Sequence, residues 1–64
     1  MFDFAGWLKE QMRKRGWDSL DLEVESGLSK VTIQYYLRGI RKPTLASFEV
    51  LLETFGQHLI IEDN

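Results

Sequence analysis

SGLSKVTIQYYLRG, residues 26–39, decides how the chain folds. Gly27 stands between an acidic segment with scattered apolar residues and one that carries Lys30, Thr32, Gln34 and Tyr35. Those four side chains have little reason to meet in a core. They have a good reason to meet on a surface that must read something outside the protein. Glycine takes a left-handed backbone without the penalty a Cβ brings, so Gly27 predicts a tight turn. Ser29 is placed to cap a helix beginning at Lys30, a contribution of about 1 kcal/mol over alanine. From there to Gly39 the spacing predicts a helix whose inward face is Ile33, Tyr36 and Leu37, helped by Leu28 from the turn. Its outward face is then Lys30, Val31, Gln34, Tyr35 and Arg38.

Upstream, Asp18 and Asp21 suit the N-cap and third positions of a helix over about Ser19 to Glu25. In it Leu20 and Val24 form the i, i+4 apolar pair, with Leu22 on a neighbouring face. Further back, Phe4, Leu8 and Met12 recur at helical spacing, widened by Ala5 and Trp7, and predict a helix from about Phe4 to Arg15. Asp3 can cap it, Gly16 can end it, and the basic run Arg13–Arg15 suits the negative end of its dipole. Trp7 and Trp17 are expected in or near the core. Downstream, Pro43 and Thr44 open a fourth helix carrying Leu45, Phe48, Leu51, Leu52 and Phe55, with Gly56 as its stop. HLIIE, residues 58–62, has the β-branched pair Ile60 and Ile61 and predicts a short strand. Such a strand needs the same strand from a second copy or from a partner; the intramolecular alternative is a tail folded over Trp7 or Phe4.

At 64 residues this is one domain, and one of its size buries only about 60% of the surface its unfolded chain exposes. Added burial through oligomerisation would help, since there is no cysteine for disulfides or thiolate metal sites. His58 is the only histidine, so neither a metal site nor a cofactor is expected. With no glycine-rich phosphate loop and no nucleophile–base pair, no enzyme is expected either. The first residues lack the basic start and long apolar run of a secretory signal, and no stretch nears the roughly 20 apolar residues that span a bilayer. A soluble, cytoplasmic protein with no membrane role is the expectation.

The net charge of −2 hides a pattern. Residues 18–29 carry Asp18, Asp21, Glu23 and Glu25, a formal −4, whereas residues 30–42 carry Lys30, Arg38, Arg41 and Lys42 with no acid, a formal +4. The positive charge therefore lies where the outward-facing polar row lies. Two short helices around a glycine turn make a helix-turn-helix pattern, and this row suits a DNA major groove. Gln34 can bond adenine twice, Lys30 can donate to guanine O6 and N7, and Val31 can touch a thymine methyl. Tyr35 serves equally as a base contact or as the edge of the core. Arg38, Arg41 and Lys42 sit where phosphates would pass and would add salt-dependent, sequence-blind affinity. The start of the helix at Ser29, with free backbone N–H groups, also favours an anionic oxygen.

GW at 16–17, Leu22, SGLSKVTI at 26–33, LRGIRKPTL at 37–45 and LLETFG at 51–56 together resemble the Cro/CI-repressor-type, XRE-like helix-turn-helix family over roughly residues 4–56. The resemblance implies an all-α, lambda-repressor-like domain of four to five helices that binds double-stranded operator DNA as a homodimer. It implies base contacts at Lys30, Val31, Gln34 and Tyr35, and backbone contacts at Thr32, Arg38, Arg41 and Lys42. Position 19, often a phosphate-contacting glutamine in the family, is the shorter Ser19. Position 23, usually an alanine packed against the recognition helix, is Glu23, which must turn outward or change the angle between the helices. At position 50, usually polar, stands Val50; with Leu59, Ile60 and Ile61 it forms the expected dimer interface. A dimer would set two recognition helices about 34 Å apart on a near-palindromic operator, and repression would follow by blocking polymerase. Strand-like tails of this kind resemble those of XRE-type antitoxins, so a cognate toxin protein is the alternative partner. A protein-interaction module with secondary DNA binding is the competing class.

Overall fold

The computed structural model describes residues 2–57. Among these, four helices follow one another: α1 (Phe4–Arg15), α2 (Ser19–Ser26), α3 (Lys30–Leu37) and α4 (Leu45–Thr54), with no strand. The expected strand at 58–62, and with it Leu59, Ile60, Ile61 and His58, lies outside the described residues.

Each helix is closed by the residues that predict its ends. The Asp3 carboxylate accepts the Gly6 amide at 3.0 Å. A Cβ at Gly6 would run into that carboxylate, which accounts for a glycine inside a helix. At the other end of α1 the Gly16 amide donates to the Arg13 carbonyl at 3.1 Å and the Trp17 amide to the Met12 carbonyl at 3.0 Å. This paired closure needs a left-handed residue between the two bonds, and Gly16 has φ +67°. Asp18 and Asp21 form a reciprocal capping box at the start of α2, each carboxylate accepting the other's amide at 2.9–3.0 Å. Ser29 caps α3 and Thr44 caps α4, each accepting the amide three residues on at 3.1 Å.

The core is Leu8, Met12, Leu22, Ile33, Tyr36, Leu51 and Phe55, with Phe4, Trp7, Trp17, Leu28 and Leu37 packed around it. Every helix contributes, and α3 rests against both α1 and α2. Burying each such side chain stabilises the fold by about 1.5–3 kcal/mol. Aromatic contacts run the length of the molecule: Tyr36 meets Phe4 edge-on at 5.3 Å, Trp7 meets Phe48 at 5.4 Å and Phe55 at 5.6 Å. Trp17 continues the row, 5.9 Å from Phe55.

Arg15 departs from the expected dipole-matched surface. Its guanidinium turns inward, donates to the Phe55 carbonyl at 2.7 Å and to Gln11 at 2.9 and 3.1 Å, and lies 4.5 Å over the Phe55 ring. The cation therefore closes the carbonyl end of α4 as well as its own helix. Gln11 is buried and its side-chain oxygen also accepts from Gln57 at 2.9 Å, so α1 and α4 are tied at one end by a small polar network. Arg13 behaves as expected, pairing on the surface with Glu10.

Two apolar assignments are corrected. Leu20 and Val24 are 53% and 73% exposed, and Leu22 is the residue of α2 that enters the core. The inward stripe of α2 is Ser19, Leu22, Glu23 and Ser26, at i, i+3, i+4 and i+7, and three of its four members are polar. Glu23 and Ser26 are polar because they bond to the turn and the start of the next helix, a use that hydrophobic spacing does not register. Leu45, the first residue of α4, is 62% exposed and does not join the core.

Candidate nucleic-acid interface

The turn between α2 and α3 is held by two side chains from α2. The Ser26 hydroxyl donates to the Leu22 carbonyl at 2.6 Å and accepts the Leu28 amide at 3.1 Å. It thereby ties the Leu28 amide of the turn back to the last turn of α2. Gly27, at φ +78°, makes the bend itself and donates to the Glu23 carbonyl at 2.9 Å. Glu23 then reaches across the turn, its carboxylate accepting the Lys30 amide at 2.6 Å. Glu23 therefore does not turn outward, the first of the two outcomes expected of it. It is half-buried and serves as a second cap on α3.

The start of α3 is consequently not the open row of N–H groups that its sequence suggests. The Lys30 amide is taken by Glu23, the Thr32 amide by the Ser29 hydroxyl at 3.1 Å, and the Ile33 amide by the Ser29 carbonyl at 3.0 Å. The same Ser29 hydroxyl donates to the Thr32 hydroxyl at 2.8 Å. Both side chains are thus committed within the helix start, Thr32 half-buried and Ser29 exposed.

Along the outer face of α3, Lys30, Val31 and Gln34 are exposed and Arg38 follows at the helix end, also exposed. Val31 leaves 56% of its surface open, the mark of a residue facing away from the core. Tyr35 is half-buried, and the Arg41 guanidinium lies over its ring at 5.4 Å. The loop after α3 brings this about. Gly39, at φ +72°, lets the chain double back, and the Tyr35 carbonyl accepts the Ile40 and Arg41 amides at 3.0 and 3.4 Å. Arg41 and Lys42 emerge exposed beside Arg38, a cationic cluster fixed against the helix end.

Among the described residues the one ion pair is Glu10–Arg13, so Lys30, Arg38, Arg41 and Lys42 present their charges without a carboxylate partner there. Across the turn, α2 presents Asp18, Asp21 and Glu25, all exposed. The Asp21 amide, foremost, holds the Asp18 carboxyl below the ordinary carboxylate range, and the charge of Lys30 is a smaller contributor in the same direction. Ser19, the backbone candidate on α2, is half-buried on its inward stripe, and Val50 is half-buried on α4.

Lys30, Val31 and Gln34 stand exposed on α3, Arg38, Arg41 and Lys42 stand exposed at and just beyond its end, and Tyr35 is half-buried beneath Arg41. Sequence reasoning passed over three residues that position these side chains: Ser26, Glu23 as a cap, and Arg41 as the stacking partner of Tyr35. The serine is the one with a readable signal, a hydroxyl next to the turn glycine. No group of His, Asp or Glu among the described residues could hold a metal, and no helix among them is long and apolar enough to cross a membrane.

A family model described as Helix-turn-helix matches residues 8–60, which covers α2, the turn and α3 entirely. Comparison with curated proteins and with solved structures gives no match.

Proposed function

The chain belongs to the Cro/CI-type, XRE-like helix-turn-helix family of DNA-binding regulators, and we propose that it represses transcription by occupying an operator as a homodimer. The observation that carries this reading is the outer face of α3, where Lys30, Val31 and Gln34 stand exposed, followed by the exposed cations Arg38, Arg41 and Lys42, which have no carboxylate partner among the described residues. Such a helix enters a major groove with its polar row on base edges while the cations hold phosphate. Lys30, Val31, Gln34 and Tyr35 are the base-reading set. Arg38, Arg41 and Lys42 hold the backbone; Ser29 and Thr32 are spent on capping the start of α3, and Ser19 is half-buried on α2. Tyr35 acts together with Arg41, which stacks on its ring. Val50, with Leu59, Ile60 and Ile61 of the tail, joins two copies so that their α3 helices fall one turn of DNA apart, about 34 Å.

A second reading has its own observation. Leu20 and Val24 leave most of their surface in water on a helix that also exposes Asp21 and Glu25. An apolar pair in an acidic surround suits a partner protein with a basic, apolar face, as an antitoxin would offer a toxin.

Selection from a random duplex pool tests both. The purified chain should enrich an inverted repeat with half-sites one helical turn apart. Enrichment of single half-sites would keep the reading helix and sink the symmetric dimer. No enrichment, from a chain whose circular dichroism is helical, would leave the protein-docking reading in possession.

A further inference from the structure

We infer that Glu23 excludes a DNA phosphate from the start of α3, so that the backbone is anchored through the Arg38–Lys42 end of the helix. The inference rests on the DNA-binding reading and deepens it. A helix start is ordinarily where an anionic oxygen settles, because its first amides point outward and the dipole favours negative charge. Here a carboxylate of the protein already fills that role, 2.6 Å from the Lys30 amide. The Thr32 amide is taken by Ser29 and Ile33's makes the first bond of the helix, so of the first three amides of α3 only that of Val31 is without a partner among the described residues.

Charge acts in the same direction. The carboxylate of Glu23 is held against the helix start on the side of α2, whose exposed Asp18 and Asp21 lie at its own first turn. A phosphate approaching this end would meet the Glu23 carboxylate on the amide it would otherwise take, a repulsion set against the attraction of Lys30. At the far end of α3 the situation is reversed. Arg38, Arg41 and Lys42 are exposed, and Arg41 is held in place by the doubled-back loop and by Tyr35. One helix thus carries an anion-repelling start and an anion-binding end. Glu23 is a positioning residue: it decides which end of α3 takes the backbone and so how the helix lies in the groove.

The test uses the full chain, a short labelled duplex of mixed sequence, and anisotropy titrations over a series of salt concentrations. Glu23→Gln keeps an acceptor for the Lys30 amide but removes the charge. It should bind about fivefold more tightly at low salt, the size of one Coulomb repulsion across a few ångströms of water, and the gain should shrink as salt rises. Glu23→Ala removes the same charge and frees the amide as well, so both variants should steepen the slope of log K against log salt, by up to about one. A merely structural cap would not change that slope upward. Variants that melt as cooperatively as the wild type yet bind with its affinity and slope overturn the inference. So does weaker binding by Glu23→Gln, which would make Glu23 a prop for α3 and nothing more. If Glu23→Ala fails to fold, Glu23→Gln decides alone. A wild-type chain that binds no duplex removes the DNA-binding reading itself, and this inference with it.

Discussion

α2 and α3 are each eight residues long, each begins at a side-chain cap, and they lie against one another across a single glycine turn. They use their surfaces in opposite ways. α3 sends Ile33 and Tyr36 into the core and leaves Lys30 and Gln34 outside, with Val31 as its one large exposed apolar residue. α2 sends one leucine and three polar residues inward and leaves two large apolar residues in water. The difference teaches what each helix is for. α3 is a surface with a core behind it, whereas α2 is a bracket: Leu22 roots it, and Ser26 and Glu23 hold the start of α3 by hydrogen bonds.

The sharpest way to break that comparison is to truncate the buried leucine and the exposed valine of α2 in turn. Leu22→Ala should cost about 2–5 kcal/mol in urea unfolding, because Leu22 is 0% exposed and its removal leaves a cavity. Val24→Ala should stay within about 0.5 kcal/mol, as surface changes do. Equal losses would mean that α2 is docked through its other face.

On α3 the largest effect should fall at Gln34. Gln34→Ala is expected to leave folding unchanged, since the side chain is exposed, and to relax specificity at one base pair by about 1–3 kcal/mol. Binding of every operator variant as the wild type does would place α3 outside the groove.

The caps separate the two helices by chemistry. Asp18→Ala removes an N-cap acceptor and should lower the thermal midpoint near neutral pH. The folded-state carboxyl of Asp18 is held below its ordinary range by the Asp21 amide, so its stabilisation is complete above the unfolded pKa of about 4 and is lost as pH falls below it. Glu10, lowered by its bond from Arg13, adds in the same direction. Asp18→Asn keeps an acceptor that does not titrate, so its thermal midpoint should fall less steeply below about pH 4. An unchanged acid limb would remove the capping box from the cause.

The smallest expected effect lies at the cationic end of α3. Lys42→Ala should weaken all duplexes alike and reduce the salt slope by about one phosphate's share, roughly 0.9. A changed base preference would move Lys42 from the backbone to the bases.

The ends of the helices were legible because caps are local. Asp3, Asp18, Ser29 and Thr44 bond to amides three residues on, and Gly16, Gly27, Gly39 and Gly56 all take a left-handed backbone. Such interactions close within a few residues and leave their signature in the spacing. The outer face of α3 was legible for the same reason: once Ile33 and Tyr36 face inward, helical geometry places Val31 and Gln34 outside, and Lys30 is exposed as the first residue of the helix. What escaped was non-local or polar. Arg15 bonds to Phe55, forty residues away. Glu23 and Ser26 face inward although hydropathy sends them out.

By itself, then, the sequence determined the four helices, their caps, the glycine turn and the cationic row on α3, because each rests on contacts within one or two helical turns. Only the tertiary structure decided which face of α2 is inner, where Arg15 points and which amides at the start of α3 remain free. Those depend on which polar groups meet across a turn or between helices. A buried hydrogen-bonding partner is worth enough to turn a charged side chain inward against its hydropathy, and its identity is settled when the helices pack.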